Sequence, residues 1–283
     1  MKKIFNDEPF TIISHFDLDG CAAPMLFKHC YPKQIKKILY TGYGKLTKTI
    51  EKQSCNNLVI TDLSLTQDQI NVVNFLYEEV ILIDHHASSE NLKYPDHWKV
   101  HIHLKGCATL LAFHFLQHKG FDLSVAKKFA EEVNNYDMWI DPSGTSKYLN
   151  NAFWILKPWE FREEFKNFKW KKSLFKRAKE FQISKEQEIL AYENYTIDGI
   201  LRVVVGDKYI SDISLFFIED NHIVFRNKNL ISLRSKFNMM PFYDQLLELH
   251  IEFGGHKNAG GGFFDGDPVE LIELFLNFIK ENT

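Results

Sequence analysis

No run of about eighteen apolar residues occurs anywhere in this 283-residue chain, so nothing in it reads as a transmembrane helix. The N-terminus lacks the ordered charged, apolar and small-residue regions of a secretory leader, and a cytoplasmic location is expected. Cysteine is scarce. Cys21, Cys30, Cys55 and Cys107 include no CxxC pair, which excludes a zinc knuckle and a thioredoxin-type motif. Reduced, mostly buried thiols are expected instead. An excess of positive charge is also missing: 34 Lys and Arg against 37 Asp and Glu leave a net charge of −3. Tight binding to long nucleic acid usually needs a basic surface that displaces many counterions. A small or short anionic substrate, gripped by local groups, fits this balance better, and no stable complex with long nucleic acid is expected.

What is present is an ordinary globular composition, 45% hydrophobic and 25% charged, with 25 Phe to fill a core. The length allows one large domain or two modest ones. Short apolar runs at 11–16, 37–40, 58–63 and 80–84 alternate with helical spacing at 21–29 and 67–77, which argues for a parallel sheet covered on both faces. Helical patterns follow at 107–118 and 124–136, and Asp141-Pro142-Ser143-Gly144 then breaks the chain. From 159 to 195 the pattern is helical, charged and free of Gly and Pro, as in a long connecting helix. Strand-like runs return at 201–205, 222–226 and 230–233, followed by a helix at 243–250, a glycine-rich loop and a closing helix at 269–279. The expected organisation is a catalytic domain over 1–155, a helical linker over 156–197 and a second, smaller α/β domain over 198–283.

The acids of the first part fall at strand ends. Ile12-Ile13-Ser14-His15-Phe16-Asp17-Leu18-Asp19-Gly20 leaves one strand, Ile60-Thr61-Asp62 ends another, and Ile83-Asp84-His85-His86 ends a third. Ligands of open α/β sheets bind beyond the carboxyl ends of the strands, so these side chains are expected in one neighbourhood. His15, Asp17 and Asp19 alternate, and extended backbone would turn all three to one side, with Gly20 allowing a sharp turn into the helix. A lone Asp at a strand end is commonly a helix cap, and a lone His pair is commonly surface or core polar; it is their joint occurrence that points to a site. So many carboxylates share a small space only if cations neutralise them or some protonate. Mixed carboxylate and imidazole donors suit Mn²⁺, Fe²⁺ or Co²⁺, and fit Ca²⁺ or tetrathiolate zinc poorly.

His15-x-Asp17-x-Asp19-Gly20, then Asp62, then Asp84-His85-His86, resembles the DHH phosphoesterase superfamily. Asp137, in Asn135-Tyr136-Asp137-Met138-Trp139, stands where that superfamily has its next aspartate; Asp141 beside Pro142 is read as a turn residue. In the second half, Ser232-Leu233-Arg234-Ser235 and Gly254-Gly255-His256-Lys257-Asn258-Ala259-Gly260-Gly261 resemble the DHHA1 domain, with its Ser-x-Arg-Ser and GGGHxxAAG signatures. Two glycines rather than three precede His256, and Ala259-Gly260-Gly261 replaces Ala-Ala-Gly. The resemblance spans nearly the whole chain and excludes the pyrophosphatase branch. Gly20-Cys21-Ala22-Ala23 and Tyr136-Asp137-Met138-Trp139 look closest to the nanoRNase (oligoribonuclease) and small phosphodiesterase members.

The resemblance implies a parallel-sheet DHH domain, a helical linker and a smaller DHHA1 domain. It further implies two divalent metal ions, Mn²⁺ by preference. His15, Asp17 and Asp62 would hold one, while Asp19, Asp62, His85 and Asp137 would hold the other. His86 would contact the scissile phosphate or help protonate the leaving oxygen, and Asp84 would orient one of the metal ligands, as carboxylates beside metal-bound imidazoles do. Arg234, Ser235, Gly254, Gly255, His256 and Lys257 would bind substrate. The expected activity is hydrolysis of short oligonucleotides to mononucleotides. The alternatives are a RecJ-like single-stranded DNA exonuclease, a cyclic-dinucleotide or 3′-phosphoadenosine 5′-phosphate phosphoesterase, and a non-catalytic binding subunit. The expected partners are a short oligonucleotide or small nucleotide and a second copy of the chain as homodimer, with no membrane.

A separate feature is the basic run Lys166, Lys169, Lys171, Lys172, Lys176, Arg177 and Lys179, interleaved with Phe168, Trp170 and Phe175. Such a run can track a strand and stack its bases. It can equally be a solvated helix whose aromatic rings pack inward, and that reading is preferred. His101 and His103 are read as structural residues of a short strand.

Overall fold

A computed structural model describes residues 3–52, 54–141, 144–217, 221–226, 229–251 and 253–283, and of residues 211, 214, 215 and 254–256 the backbone alone. Two compact units divide the chain, Met1–Phe181 and Gln182–Thr283.

The first unit begins with β1 (Phe10–His15), α1 (Leu18–Cys30), β2 (Ile35–Thr41), α2 (Leu46–Ile50), β3 (Asn57–Thr61), α3 (Gln67–Leu76), β4 (Glu79–Asp84) and β5 (Lys99–Ile102). The strands form one parallel sheet in the order β2-β1-β3-β4-β5. Parallel pairing puts every carboxyl end on the same edge, so His15, Thr41, Thr61 and Asp84 finish side by side. Alternation along each strand sends Ile12, Val59, Ile81 and Ile83 into one core and Ile13, Leu58, Ile60 and Leu82 into another. Both faces are therefore covered, which is why these strands read as continuous apolar runs rather than alternating ones. Each such side chain, fully removed from water, contributes about 1.5–3 kcal/mol. On one side α3 is fixed by a capping box: the Thr66 hydroxyl accepts from the Gln69 N–H (3.2 Å) and Gln69 Oε1 accepts from the Thr66 N–H (2.9 Å).

The other face is packed by α1 and α4 (Ala108–His118), with α5 (Lys127–Asp137) laid against both helices, followed by α6 (Thr145–Ile155), α7 (Pro158–Glu164) and the long α8 (Lys172–Leu190). The expected single helix over 159–195 is in fact α7 and α8 followed by the start of a strand at Glu193, the two helices separated where Phe165 and Phe168 turn into the first core; Phe168 takes a left-handed φ of 56° there. Phe175 packs on Trp170 (5.1 Å between ring centroids) and Tyr148 (5.4 Å), while Lys166, Lys169, Lys171, Lys172, Lys176, Arg177 and Lys179 stay exposed. Phe168 thus belongs to the core, Trp170 packs against it and Phe175 rests on Trp170. His101 packs against Phe115 (4.9 Å) from the edge strand.

The second unit holds β6 (Glu193–Ile197), β7 (Leu201–Val205), α9 (Ile210–Phe216), β8 (Asn221–Phe225), β9 (Leu230–Arg234), α10 (Met240–Glu248), β10 (Phe253–His256), β11 (Ala259–Phe263) and α11 (Pro268–Glu281). Its mixed sheet runs β10-β11-β9-β8-β7-β6, with only β7 and β8 parallel. Leu201, Val203, Ile223, Ile231 and Leu233 pack on Phe242, Phe275 and Phe278 of α10 and α11. Val204 and Val224 on the opposite face meet Ile189 and Ile213. The glycine-rich segment expected as a loop is the hairpin of β10 and β11. A Cβ on Gly260 would stand 2.2 Å from the Tyr243 hydroxyl, so the absence of a side chain lets α10 lie directly on the strand.

Candidate metal centre

Four segments converge beyond the carboxyl edge of the first sheet. His15 ends β1, Asp62 follows β3, Asp84, His85 and His86 run off β4, and Asp137 is the last residue of α5. The first segment does not stay extended as its alternation suggests. Asp17 caps α1, its Oδ1 accepting from the Gly20 N–H (2.9 Å), so Asp19 already sits in the helix. Gly20 is needed for close approach rather than for a turn: a Cβ there would be 2.3 Å from the His15 carbonyl oxygen. Asp62 adopts a left-handed φ of 56°, a strained setting for a non-glycine residue of the kind that clusters at functional sites.

The side chains fall into linked groups. His15 Nδ1 lies 2.8 Å from Asp17 Oδ2 and 3.8 Å from Asp62 Oδ2. His85 Nε2 lies 3.2 Å from Asp62 Oδ1, 3.6 Å from Asp137 Oδ2 and 3.9 Å from Asp19 Oδ2. Asp62 belongs to both groups, offering a different oxygen to each. Donor atoms of His15, Asp17 and Asp62, of Asp19, His85 and Asp137, and of Asp62, His85 and His86 lie within 4.8 Å of one another in each set, close enough to hold a metal ion.

Buried charge makes the case for cations. Burial, then the charges of Asp17, Asp19, Asp137 and Asp84, hold the Asp62 carboxyl well above the usual carboxylate range. Burial, then Asp19 and Asp17, do the same to Asp137. Burial would raise Asp17 as well, but the hydrogen bond and charge of His15 outweigh it and bring the group down to about 2. Burial depresses the His85 imidazole, favouring the neutral form that can ligate. Asp62 Oδ2 and Asp137 Oδ2 are buried with no hydrogen-bond partner among the described residues, an expense that a bound cation removes. Carboxylate oxygens with imidazole nitrogens are donors suited to Mn²⁺-like divalent ions. The residues present fit such a centre.

Asp19 carries a second duty that its spacing does not reveal. Its Oδ2 accepts from the Ala108 N–H (2.7 Å) and its Oδ1 from the Thr109 N–H (2.8 Å), capping α4 from across the fold. Each carboxylate oxygen has a further lone pair, so this is compatible with metal ligation.

Beside the cluster, Asp84 accepts from His86 Nδ1 (2.7 Å) through Oδ1 and from the Ser89 hydroxyl (2.5 Å) through Oδ2. Asp84 thus orients His86 rather than one of the residues expected to hold metal. Burial would lower the His86 imidazole, but the hydrogen bond and charge of Asp84 outweigh it and raise the group. Tyr43, just past β2, brings its hydroxyl to 3.5 Å from His86 Nε2. Neither Ser89 nor Tyr43 was singled out from the sequence. Ser89 has no local signal, whereas the strand-end rule that found the acids would also have found Tyr43. Asp141 lies outside the cluster; its carbonyl accepts from the Ser146 hydroxyl at the start of α6 (2.6 Å).

All four cysteines are free; Cys21, Cys30 and Cys107 are buried, and burial pushes Cys21 and Cys30 up to about 12, away from the reactive thiolate form.

In the second unit, Arg234 ends β9 and donates from Nη1 to the Leu233 carbonyl (2.8 Å). The buried Ser235 hydroxyl donates to Asn221 Oδ1 (2.8 Å) and accepts from the Phe237 N–H (3.0 Å), a structural engagement. Lys257 is exposed in the hairpin turn. The backbone of Gly254, Gly255 and His256 is part of β10, and the side chain expected of His256 in substrate binding lies outside what is described.

No protein-family model matches the chain. A 3′,5′-cyclic-nucleotide phosphodiesterase of Helicobacter pylori is 23% identical, over 94% of this chain and 98% of its own length. Among solved structures, the DHH domain of a member of a family of ribosomal proteins superposes with a TM-score of 0.68 at 15% identity, covering 97% of this chain and 87% of that one. The exonuclease RecJ bound to manganese gives a TM-score of 0.57 at 11% identity, covering 97% and 90%. Among the described residues, no helix is long and apolar enough to cross a membrane.

Proposed function

Starting from a chain with the fold of the DHH-domain proteins, we propose that it is a metal-dependent phosphodiesterase that hydrolyses short oligonucleotides to mononucleotides. The observation that carries this reading is the placement of Asp62, with one oxygen toward His15 and the other toward His85. A carboxylate so placed joins two cation sites into one centre. His15, Asp17 and Asp62 would hold one ion, and Asp19, Asp62, His85 and Asp137 the second. Divalent ions held there, Mn²⁺ by preference, would supply a water nucleophile at neutral pH and would neutralise charge on the phosphoryl oxygens.

The remaining groups act on the substrate. Asp84 and Ser89 fix the His86 ring, which would contact the scissile phosphate or deliver a proton from Nε2 to the leaving oxygen. The mildly acidic chain and the inward packing of Phe168, Trp170 and Phe175 favour a short substrate over a long strand. A second reading, hydrolysis of a 3′,5′-cyclic nucleotide, is favoured by the named activity of the Helicobacter relative.

Product analysis separates the two. With Mn²⁺, 5′-labelled RNA and DNA from dinucleotides to long oligomers, and 3′,5′-cyclic nucleotides, are incubated and resolved over time. Fastest conversion of the shortest RNAs to mononucleotides is expected. Turnover of cyclic nucleotides alone would establish the second reading, and processive degradation of long DNA would contradict both.

A further inference from the structure

The rim of the acidic cluster carries two exposed aromatic side chains that the packing of the fold does not explain. Phe16, next to His15, is 48% exposed, and Tyr43 is 49% exposed. Both rings are nevertheless held in place. Phe16 lies 4.7 Å from the His15 ring and rests over Gly42, where a Cβ would stand 2.6 Å from Phe16 Cε1. Tyr43 lies 5.9 Å from His15 and 6.3 Å edge-on from His86, with its hydroxyl directed at His86 Nε2. Scattered exposed aromatics are ordinary, but these two bracket the same candidate metal ligand.

Flat apolar faces fixed beside a phosphate-binding centre match a flat aromatic ring attached near the phosphate. A nucleobase is such a ring, and stacking tolerates any base because every base has a π-face. An inorganic phosphate chain or a sugar phosphate offers nothing to stack. Resting on the phosphodiesterase reading, we propose that Phe16 and Tyr43 form a stacking platform for the nucleobase next to the scissile phosphate, so that the first unit itself selects nucleotides over base-free phosphates. Gly42 is part of the device, since any side chain there would displace the Phe16 ring.

Calorimetric titration of the full chain in Mn²⁺ with AMP and with ribose 5-phosphate tests this without requiring turnover. The wild type is expected to bind AMP about tenfold more tightly, and the Phe16→Leu/Tyr43→Leu variant to lose most of that preference while holding ribose 5-phosphate within about twofold. Tyr43→Phe, which keeps the ring, is expected to keep the preference. Equal wild-type affinity for the two ligands would overturn the platform, as would a variant that weakens both alike. Platform-dependent AMP binding by a chain that cleaves no phosphodiester would contradict the proposed activity and leave the platform standing. Cleavage of dinucleotides with no preference for AMP would contradict the platform alone.

Discussion

His85 Nε2 lies 3.2 Å from Asp62 Oδ1, both side chains buried, at the point where two groups of metal-capable residues meet. The other oxygen of Asp62 faces His15, and the backbone of Asp62 is held at a positive φ to put it there. Apart from glycine, Asn tolerates that backbone better than most neutral replacements and keeps the shape of the side chain. Asp62→Asn is therefore expected to fold, with a metal-free melting temperature at or above that of the wild type because a buried, crowded charge is gone. Equilibrium dialysis with Mn²⁺ should find two ions per wild-type chain and at most one per variant. Two ions in the variant would remove Asp62 from the bridging role.

The crowded acids also set a pH dependence. Asp62 and Asp137 have folded values raised above the ordinary aspartate value, so the folded state binds more protons than the unfolded one between the two. Their contribution to metal-free stability consequently falls as pH rises from the ordinary carboxylate range through the raised values. Asp17, lowered to about 2, works in the opposite sense: its stabilisation is present above the ordinary value and is lost as pH falls toward about 2. Cations compete with the protons on Asp62 and Asp137. The rise in melting temperature on adding Mn²⁺ should then be larger at mildly alkaline than at mildly acidic pH, and scanning calorimetry at both would show it. A rise independent of pH would contradict the assignment.

In the second unit, Lys185 is 1% exposed and paired with Asp212, which is also buried. Removing one partner leaves an uncompensated buried charge, which typically costs about 3–5 kcal/mol. Lys185→Met should lower the unfolding free energy by that amount in urea titrations. Lys185→Met/Asp212→Leu should recover much of it, because no lone charge remains.

The hairpin glycines are open to a similar test. Gly260→Ala places a methyl against the Tyr243 hydroxyl and should cost about 1–3 kcal/mol as overpacking. Tyr243→Phe in the same background should relieve part of it, read from the same denaturant midpoints. If Gly260→Ala alone were neutral, the glycine would be there for a reason other than packing.

Much of this site was legible before the structure because parallel strands project their ends to a common edge. The residues His15, Asp62 and Asp84 each terminate an apolar run, and that pattern locates them without knowledge of the helices. Their partners were less visible for physical reasons. Asp19 caps α4 through Ala108 and Thr109, a contact made only by tertiary folding, and its local sequence signals nothing of it. No Gly or Pro marks the break between α7 and α8; burial of Phe165 and Phe168 overrides an otherwise helical stretch. The glycine-rich segment reads as a loop because glycine is poor in strands, yet its neighbours Arg234 to Leu230 supply the ladder that holds it.

The most direct test of the central claim is the rate of dinucleotide cleavage with Mn²⁺, with a chelator, and with Asp62→Asn. Cleavage should require the divalent ion and fall by more than about 100-fold in the variant, since losing even groups that only orient a metal ligand costs 10–100-fold. Cleavage that persists in chelator, or an Asp62→Asn enzyme as fast as the wild type, would contradict a metal-dependent centre built on Asp62.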